Sequence, residues 1–418
     1  DTAPDAGLVA LFRPRWPVHR DPVAGMGSEP RHAAIVGGGL AGCATAAVLA
    51  DRGWSVTVFD GSASLDGAGG GQPLIADHLH FSSDDNPLAR LSRHALWLSR
   101  PWRPDSPPIG RVQLAADSAE QLAQADIVER VGLDPELVRA IDADEASERC
   151  GLALPRGALW MPGCEALDPA RLCAGWLSSH PAIEWQRGTM VATLTRNASE
   201  GLWHLADRDG VRLARASVVI LAGGGATPAL AGLRWPPLQR VRGQSTRLHA
   251  DPLSRLRTVL GGSAYACPLG DGEVLIGSSF DTGSTLSPDP QADRDNLARV
   301  SSMLPADITT AAGLRCGGVG WRYATPDRLP MIGALADEDA IAREYSELAR
   351  NDRLPLPRQP GLYGHFALGS RGLLWSILGA EVLAALIDGG APVLESDLLR
   401  ALEPTRFVRQ RLRHRQPL

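Results

Sequence analysis

Residues 33–60 constrain the fold more tightly than any other stretch of the chain. Ala33-Ala34-Ile35-Val36 is a short apolar run that ends in glycines. Leu40 to Arg52 is rich in alanine and reads as a helix, with Gly53 as its C-terminal stop. Ser55-Val56-Thr57-Val58-Phe59 is apolar and β-branched, the pattern of a second strand. Strand, turn, helix and strand in this order open a parallel βαβ unit and place the chain in the α/β class.

The turn carries chemistry. Gly37-Gly38-Gly39-Leu40-Ala41-Gly42 satisfies GxGxxG. In this spacing Gly37 permits the tight turn and Gly39 lets the backbone approach a pyrophosphate. Gly42 lets the helix pack closely on the strand. The helix N-terminus adds unpaired N–H donors and a partial positive charge. Asp60 closes the second strand 18 residues after Gly42, where a carboxylate meets the hydroxyls of an adenosine ribose. Strand, helix and acid agree on a dinucleotide site; a glycine turn of purely structural purpose is the weaker alternative.

A second glycine-rich segment separates flavin from nicotinamide. Asp66-Gly67-Ala68-Gly69-Gly70-Gly71-Gln72 follows shortly after Asp60. A nicotinamide cofactor needs no second backbone cradle there; a flavin, with its ribityl arm, does. A flexible loop is the alternative. Val218-Val219-Ile220-Leu221-Ala222 is another buried strand, and the glycines 223–225 after it lack the GxGxxG spacing. They fit a chain crossing back to touch the same cofactor. Near the C-terminus, Phe366-Ala367-Leu368-Gly369-Ser370-Arg371-Gly372-Leu373 ends a strand and opens an apolar helix. Its first N–H groups would stabilise negative charge at flavin N1/O2 on reduction.

Composition removes other classes. The chain has 418 residues, enough for two or three domains, and carries 47 Asp+Glu against 42 Lys+Arg. That balance rules out a generally basic nucleic-acid coat but not a local basic face. All 42 cations are Arg, which excludes a Schiff-base lysine and a P-loop GK[ST]. Six scattered cysteines form no CxxC pair, so neither a zinc site nor a disulfide framework is expected, and a reducing, cytoplasmic setting is. No metal site and no membrane span are expected. The chain begins at Asp1, as a processed product or one part of a longer polypeptide would.

Along the chain, the prolines of residues 1–30 read as a linker or arm. Residues 117–149 carry helical spacing. Residues 183–222 read as three short strands broken by turns, and residues 238–282 as strands with a hairpin turn at Gly270-Asp271-Gly272. Residues 337–360 read as an inserted surface loop.

Five segments together resemble a known family. They are IVGGGLAGCATAAVLADRGWSVTVFD (35–60), GAGGGQPL (67–74), RVRGQ (240–244), GWRYATPDRLPMIG (320–333) and FALGSRGLLWSILGAEVLA (366–384). The chain resembles the FAD-dependent C-terminal module of the MnmC family of bifunctional tRNA wobble-uridine modification proteins. That module lies within the D-amino-acid oxidase and glycine oxidase superfamily. Residues 8–20 resemble the end of the methyltransferase module that precedes it.

The resemblance implies a Rossmann-type FAD-binding domain with an interleaved α+β substrate domain built on an antiparallel sheet. It divides the chain into an arm (1–30), a discontinuous FAD-binding domain (31–110, 165–235 and 322–403), a substrate domain (111–164 and 236–321) and a basic tail (404–418). It assigns cofactor contacts to Gly37, Gly39, Leu40, Ala41, Gly42 and Asp60, and to Gly67, Ala68, Gly69, Gly70 and Gln72. Val191, Ala222 and Gly223 follow, and then Gly369, Ser370, Arg371, Gly372 and Leu373. It implies oxidation of 5-carboxymethylaminomethyl-uridine at the tRNA wobble position to the aminomethyl base and glyoxylate. The implied protein is cytoplasmic and monomeric, with a fused S-adenosylmethionine-dependent methyltransferase module as neighbour. One departure stands out: the family loop runs close to GASGNxxGxxxP, whereas here Asp77, His78 and His80 follow a loop without that Ser-Asn pair.

The implied substrate is an N-substituted glycine, whose carboxylate needs a cation. With no Lys, its partner is an Arg, an N–H nest or a hydroxyl. Arg322 is the first choice, with Arg371 and Arg242 next; for each, an ion pair that holds a loop is the alternative. Tyr265 and Tyr323 are candidates to line the substrate channel. The arginines of 406–415 are expected either to hold tRNA phosphates or to be a solvated terminus. Two other functions stay open: a flavin oxidase of a free small amine such as glycine or sarcosine, and a non-catalytic FAD-bound module that positions tRNA.

Overall fold

Apolar runs that are buried on both faces need cover on both sides, and the first sheet meets that need with three layers. The computed structural model describes residues 31–105, 107–235, 238–283, 285–305, 311–351 and 354–416. The arm at 1–30 lies outside the described residues. Six strands form the central sheet in the order Met331–Ala336, Arg358–Phe366, Val218–Leu221, His32–Val36, Ser55–Asp60 and Ile183–Arg187. All pair in parallel except Met331–Ala336, which runs antiparallel to Arg358–Phe366. Alternate side chains leave opposite faces. Ala33, Ile35, Val56, Val58, Val218 and Ile220 pack against helices Leu40–Asp51 and Gly372–Asp388. Ala34, Phe59, Val219 and Leu221 meet Trp203 and Leu205 of a three-stranded meander on the other face.

The span 183–222, expected to hold three strands, holds five. Three form the meander (Thr193–Asn197, Leu202–Ala206 and Arg212–Ala216), and Val218–Leu221 sits inside the parallel sheet. Ile183–Arg187 is the additional edge strand. It is half-exposed and charged, so it lacks the apolar signature of its neighbours. Residues 337–360 are likewise more than a surface loop. They carry helices Glu338–Arg343 and Tyr345–Leu348, and Ile341, Leu348 and Leu356 bury against Val408 and Leu412.

Helix Gly372–Asp388 is apolar around most of its circumference, as a helix sunk in a core must be, and its one mid-helix charge, Glu381, pairs with Arg52. Gly379 gives it one gap. A Cβ there would lie 2.2 Å from His365 Nε2. His365 fills the gap with Nε2 3.1 Å from Trp375 O and Nδ1 2.9 Å from Thr45 Oγ1. Burial pulls its pKa from 6.5 down to about 4. Between those values the unfolded chain binds a proton that the folded chain refuses. Stability is therefore full above about pH 6.5 and falls by about 3 kcal/mol as the pH drops toward 4. Urea unfolding of the wild type at pH 7 and pH 4.5 will show this slope, and a His365→Asn variant will lack that part of it. Equal slopes for the two proteins would refute the assignment.

The second large sheet has eight strands. Their order is Ala311–Ala324, Gln239–Ala250, Glu273–Gly277, Tyr265–Gly270, Val259–Gly261, Arg111–Leu114, Ala158–Met161 and Arg139–Ile141. Only Val259–Gly261 beside Arg111–Leu114 is parallel. One face packs against helix Pro290–Ser301, where Gln244 and Thr246 donate to Asp293 at 2.8 and 2.5 Å. Alternation along Gln239–Ala250 puts Arg242 on that same face. The opposite face looks onto a cavity.

The expected basic tail is also structured. Arg406–Arg413 is a helix that buries Val408 and Leu412. Arg406 donates to both Asp327 oxygens at 2.7 and 3.0 Å, and Arg411 lies 3.9 Å over the Trp235 ring.

Candidate active site

A cavity of about 510 Å³ opens between the C-terminal ends of the parallel strands and the free face of the eight-stranded sheet. Open α/β sheets bind ligands at that end. The residues expected to touch a cofactor reach it from four segments. Gly37, Gly39, Leu40, Ala41 and Asp60 line it from the first βαβ unit, and Gly67, Gly69, Gly70 and Gln72 from the loop. Ala222 and Gly223 come from the crossing strand, and Gly369, Ser370, Gly372 and Leu373 from the late turn. Four lie off the wall. Gly42 sits behind the turn, where a Cβ would meet Gly37 O at 1.8 Å. Ala68 is buried in the core. Val191 is buried beside Phe59 and Leu205 in the core under the meander. Arg371 turns its Nε to His78 O at 3.0 Å.

The helix caps mark where the wall wants negative charge. Among the described helices of ten or more residues, Pro87–Ser99, Ser118–Val131, Pro169–Ser178 and Pro290–Ser301 each begin with an Asn or Asp side-chain cap. The two without a side-chain cap, Leu40–Asp51 and Gly372–Asp388, are the two whose first residues line the cavity. Their free N–H groups and positive ends favour an anion. Gly39 has open space where a Cβ would stand, so the backbone there is bare to a ligand. Asp60 accepts from Gly38 N and Ser62 N and sits on the wall. The loop Gly69-Gly70-Gly71 takes three consecutive positive φ values (60°, 71° and 69°), which only glycine adopts freely. It lies against Gly318 and Gly320 of the long strand, where a Cβ would meet Gly71 O at 2.3 Å and Gly70 O at 1.9 Å. Gln72 Oε1 is buried and has no hydrogen-bond partner, an acceptor left for a bound hydroxyl or N–H. This set fits a flavin dinucleotide: anion sites at two helix ends, a carboxylate for ribose and a bare backbone cradle between.

The free face of the eight-stranded sheet supplies the other wall. Three polar side chains stand on it, each over a glycine of the neighbouring strand. A Cβ would lie 2.2 Å from Arg111 at Gly261, 3.1 Å from the Tyr265 hydroxyl at Gly277 and 2.3 Å from Arg322 at Gly243. Arg322 donates to Ser278 Oγ at 2.7 Å and covers the Phe280 ring at 4.7 Å. Burial draws its pKa below the ordinary guanidinium value, but a guanidinium keeps its charge. Burial also pushes the Tyr265 phenol up, so it stays protonated. Arg242 is placed differently. It stands on the far face and donates to Thr285 O, Ser287 O and Asp281, which is the loop-holding role weighed against carboxylate binding. Tyr323 lines the cavity, with its ring against Gly225.

Sequence reasoning missed Arg111. It is buried, lines the cavity, and donates to Asp77 O at 2.9 Å and Gln113 Oε1 at 2.7 Å. A signal was present: Arg111 and Gln113 alternate with Val112 and Leu114, a strand with one polar face. Among the described residues, none of Arg111, Arg322 and Arg371 forms an ion pair with a carboxylate. Burial, with Arg328 and Arg111 adding repulsion, lowers the Arg371 pKa to about 10. Burial first, then Arg111 and Arg371, hold the His78 imidazole neutral.

The divergent residues after the glycine loop have a structural task. Asp77 accepts from Arg103 at 2.6 and 2.8 Å and from Glu165 N at 2.9 Å, and Arg103 also reaches Glu165 at 3.0 Å. This buried cluster fixes the Asp77 and His78 carbonyls that hold Arg111 and Arg371. An Asp77→Leu variant strands the buried Arg103 with half its partners, and its urea midpoint should fall by the equivalent of about 3–5 kcal/mol. A loss under about 1 kcal/mol, the scale of an exposed pair, would contradict that role.

A family model described as FAD dependent oxidoreductase (DAO) matches residues 32–386, and the chain belongs to that family. It is an FAD-dependent oxidoreductase. Over 428 residues it is 38% identical to the tRNA 5-methylaminomethyl-2-thiouridine biosynthesis bifunctional protein MnmC of Paraburkholderia xenovorans (strain LB400). The MnmC protein of Burkholderia mallei (strain SAVP1) is 37% identical over 423 residues. Each match covers 98% of this chain and 64% of the relative, so the chain spans under two thirds of their length. Two solved structures share the fold. Iminodiacetate oxidase from Chelativorans sp. BNC1 superposes with a TM-score of 0.67 at 22% identity, over 89% of this chain and 98% of that one. L-proline dehydrogenase from P. horikoshii gives 0.72 at 18%, over 91% and 99%. Among the described residues, no helix is long and apolar enough to cross a membrane.

Proposed function

We propose that this chain removes the carboxymethyl group from 5-carboxymethylaminomethyl-(2-thio)uridine at the tRNA wobble position, in the cytoplasm. The products are the 5-aminomethyl base and glyoxylate. The observation that carries this is Arg322, a cavity-wall guanidinium without a carboxylate partner among the described residues. The similarity to the MnmC proteins supports a tRNA substrate among secondary amines that bear a carboxylate.

Gly37 to Gly42, Asp60, the loop 67–72 and the turn 369–373 would hold FAD, which supplies the two-electron oxidation of the carbon beside the nitrogen. The chain's own residues bind and orient. Arg322 takes the glycine-unit carboxylate in a forked pair of hydrogen bonds. Arg111 and Arg371 add positive potential, which favours an anionic substrate. The neutral His78 and the protonated Tyr265 add no negative charge beside the substrate carboxylate. Oxidation removes two electrons and a proton from the N–CH2 unit. Water then adds to the resulting C=N bond, and the C–N bond breaks to release the primary amine and glyoxylate.

The test is nucleoside analysis by mass spectrometry after incubating the FAD-loaded protein with tRNA carrying the carboxymethylaminomethyl base. The aminomethyl nucleoside should appear together with equimolar glyoxylate. An unchanged nucleoside would overturn the reading.

A further inference from the structure

We propose that Phe280 is a stacking platform for the pyrimidine ring of an extruded nucleotide at the mouth of the cavity. The proposal rests on the tRNA reading above and names how that substrate's base is held. Phe280 lines the cavity yet is 64% exposed. It is not part of a loose loop. On one side of it, Ser279 N donates to Gln244 O at 3.0 Å and Gln244 N to Ser279 Oγ at 2.9 Å. On the other, Arg242 and Asp281 exchange backbone hydrogen bonds at 2.8 and 3.1 Å. The Arg242 side chain then grips Asp281, Thr285 O and Ser287 O. The backbone that carries the ring is therefore pinned on both sides, so Phe280 is presented from a fixed position at the cavity mouth.

The Arg322 guanidinium stands 4.7 Å from the ring centre, and most of the ring remains open. Four bonds separate the substrate carboxylate carbon from C5 of the base, a reach of ~5 Å at ordinary bond lengths. A base whose arm ends on Arg322 thus arrives beside Phe280. Loop bases of RNA are read by unstacking them onto aromatic side chains, and stacking tolerates any base because each has a π-face. A free glycine or sarcosine has no ring to place there.

The experiment compares Phe280→Ala, Phe280→Leu and Phe280→Trp in the FAD-loaded protein, with an anticodon stem-loop carrying the carboxymethylaminomethyl base. Phe280→Ala and Phe280→Leu should raise KM roughly 10- to 100-fold, the range for losing one base–aromatic stack. Phe280→Trp should stay near the wild type. Fluorescence anisotropy of the same stem-loop with plain uridine should weaken in parallel, although that RNA has no carboxylate for Arg322. A ring that served only to steady Arg322 would leave the plain RNA's affinity unchanged, and that result would overturn the proposal. So would wild-type KM in Phe280→Leu, whose bulk replaces the ring without its π-face. A wild-type protein inactive on the modified stem-loop would sink the substrate reading and this proposal with it. An active wild type matched by Phe280→Ala sinks the platform alone.

Discussion

Replacing Arg322 with Met should lower kcat/KM for a carboxymethylamine substrate by about two to three orders of magnitude and leave bound FAD in place. Truncating one partner of a desolvated charge pair costs about 2–5 kcal/mol, and each 1.4 kcal/mol is tenfold. The loss should be confined to substrate because Arg322 stands on the eight-stranded sheet, away from the uncapped helix ends at Leu40 and Gly372 that would take the phosphates of a dinucleotide. An Arg322→Lys variant keeps the charge without the fork that holds a carboxylate by two bonds, so it should retain only part of the activity. Steady-state kinetics and the flavin absorption of the purified variants decide it. An unchanged kcat/KM in Arg322→Met would remove the carboxylate from Arg322.

The second large effect is on the cofactor. A Cβ at Gly42 would lie 1.8 Å from Gly37 O, a contact that only movement of the turn can relieve. Gly42→Val should therefore yield protein without FAD and with a lowered melting temperature, since overpacking of this kind destabilises by about 1–3 kcal/mol or more. Gly39→Ala separates the two consequences. Gly39 has φ −82° and open space around a Cβ, so the alanine variant folds without strain. Its methyl group projects where the backbone must approach the pyrophosphate, and the FAD dissociation constant should rise roughly tenfold or more, about 1.4 kcal/mol. Equal FAD affinity in Gly39→Ala and wild type, measured by titration of the apo-protein, would contradict the cradle.

The parallel core of the fold was legible because its signals are local. Val218–Leu221 is a fully buried apolar strand, Ser55–Asp60 buries Val56, Val58 and Phe59, and in the glycine turn Gly37, Gly38 and Gly42 each meet a neighbour close in sequence or one strand away. The reading of 183–222 as three strands did not separate Ile183–Arg187 from Thr193–Asn197, because an edge strand needs little apolar character. The helices at 338–348 were missed because their cover, Val408 and Leu412, comes from a distant segment. The candidate site divides in the same way. Arg322 stood out from its motif, but its freedom from a carboxylate partner is a tertiary fact. Arg111 carries only the weak mark of strand alternation. It reaches the cavity because Gly261, on the next strand but 150 residues later, leaves room for it. The arginines at 406–415 show the reverse. Their charge is plain in the sequence, but Arg406 is spent on Asp327 and Arg411 rests on Trp235.

The central claim is that this cavity, loaded with FAD, oxidises the carbon between an amine nitrogen and a carboxylate on a wobble uridine. Anaerobic mixing of the holoprotein with tRNA that carries the carboxymethylaminomethyl base tests it most directly. The account predicts loss of the oxidised-flavin band near ~450 nm, with one glyoxylate formed per flavin reduced. A band that persists with this tRNA but bleaches with glycine or sarcosine would contradict it.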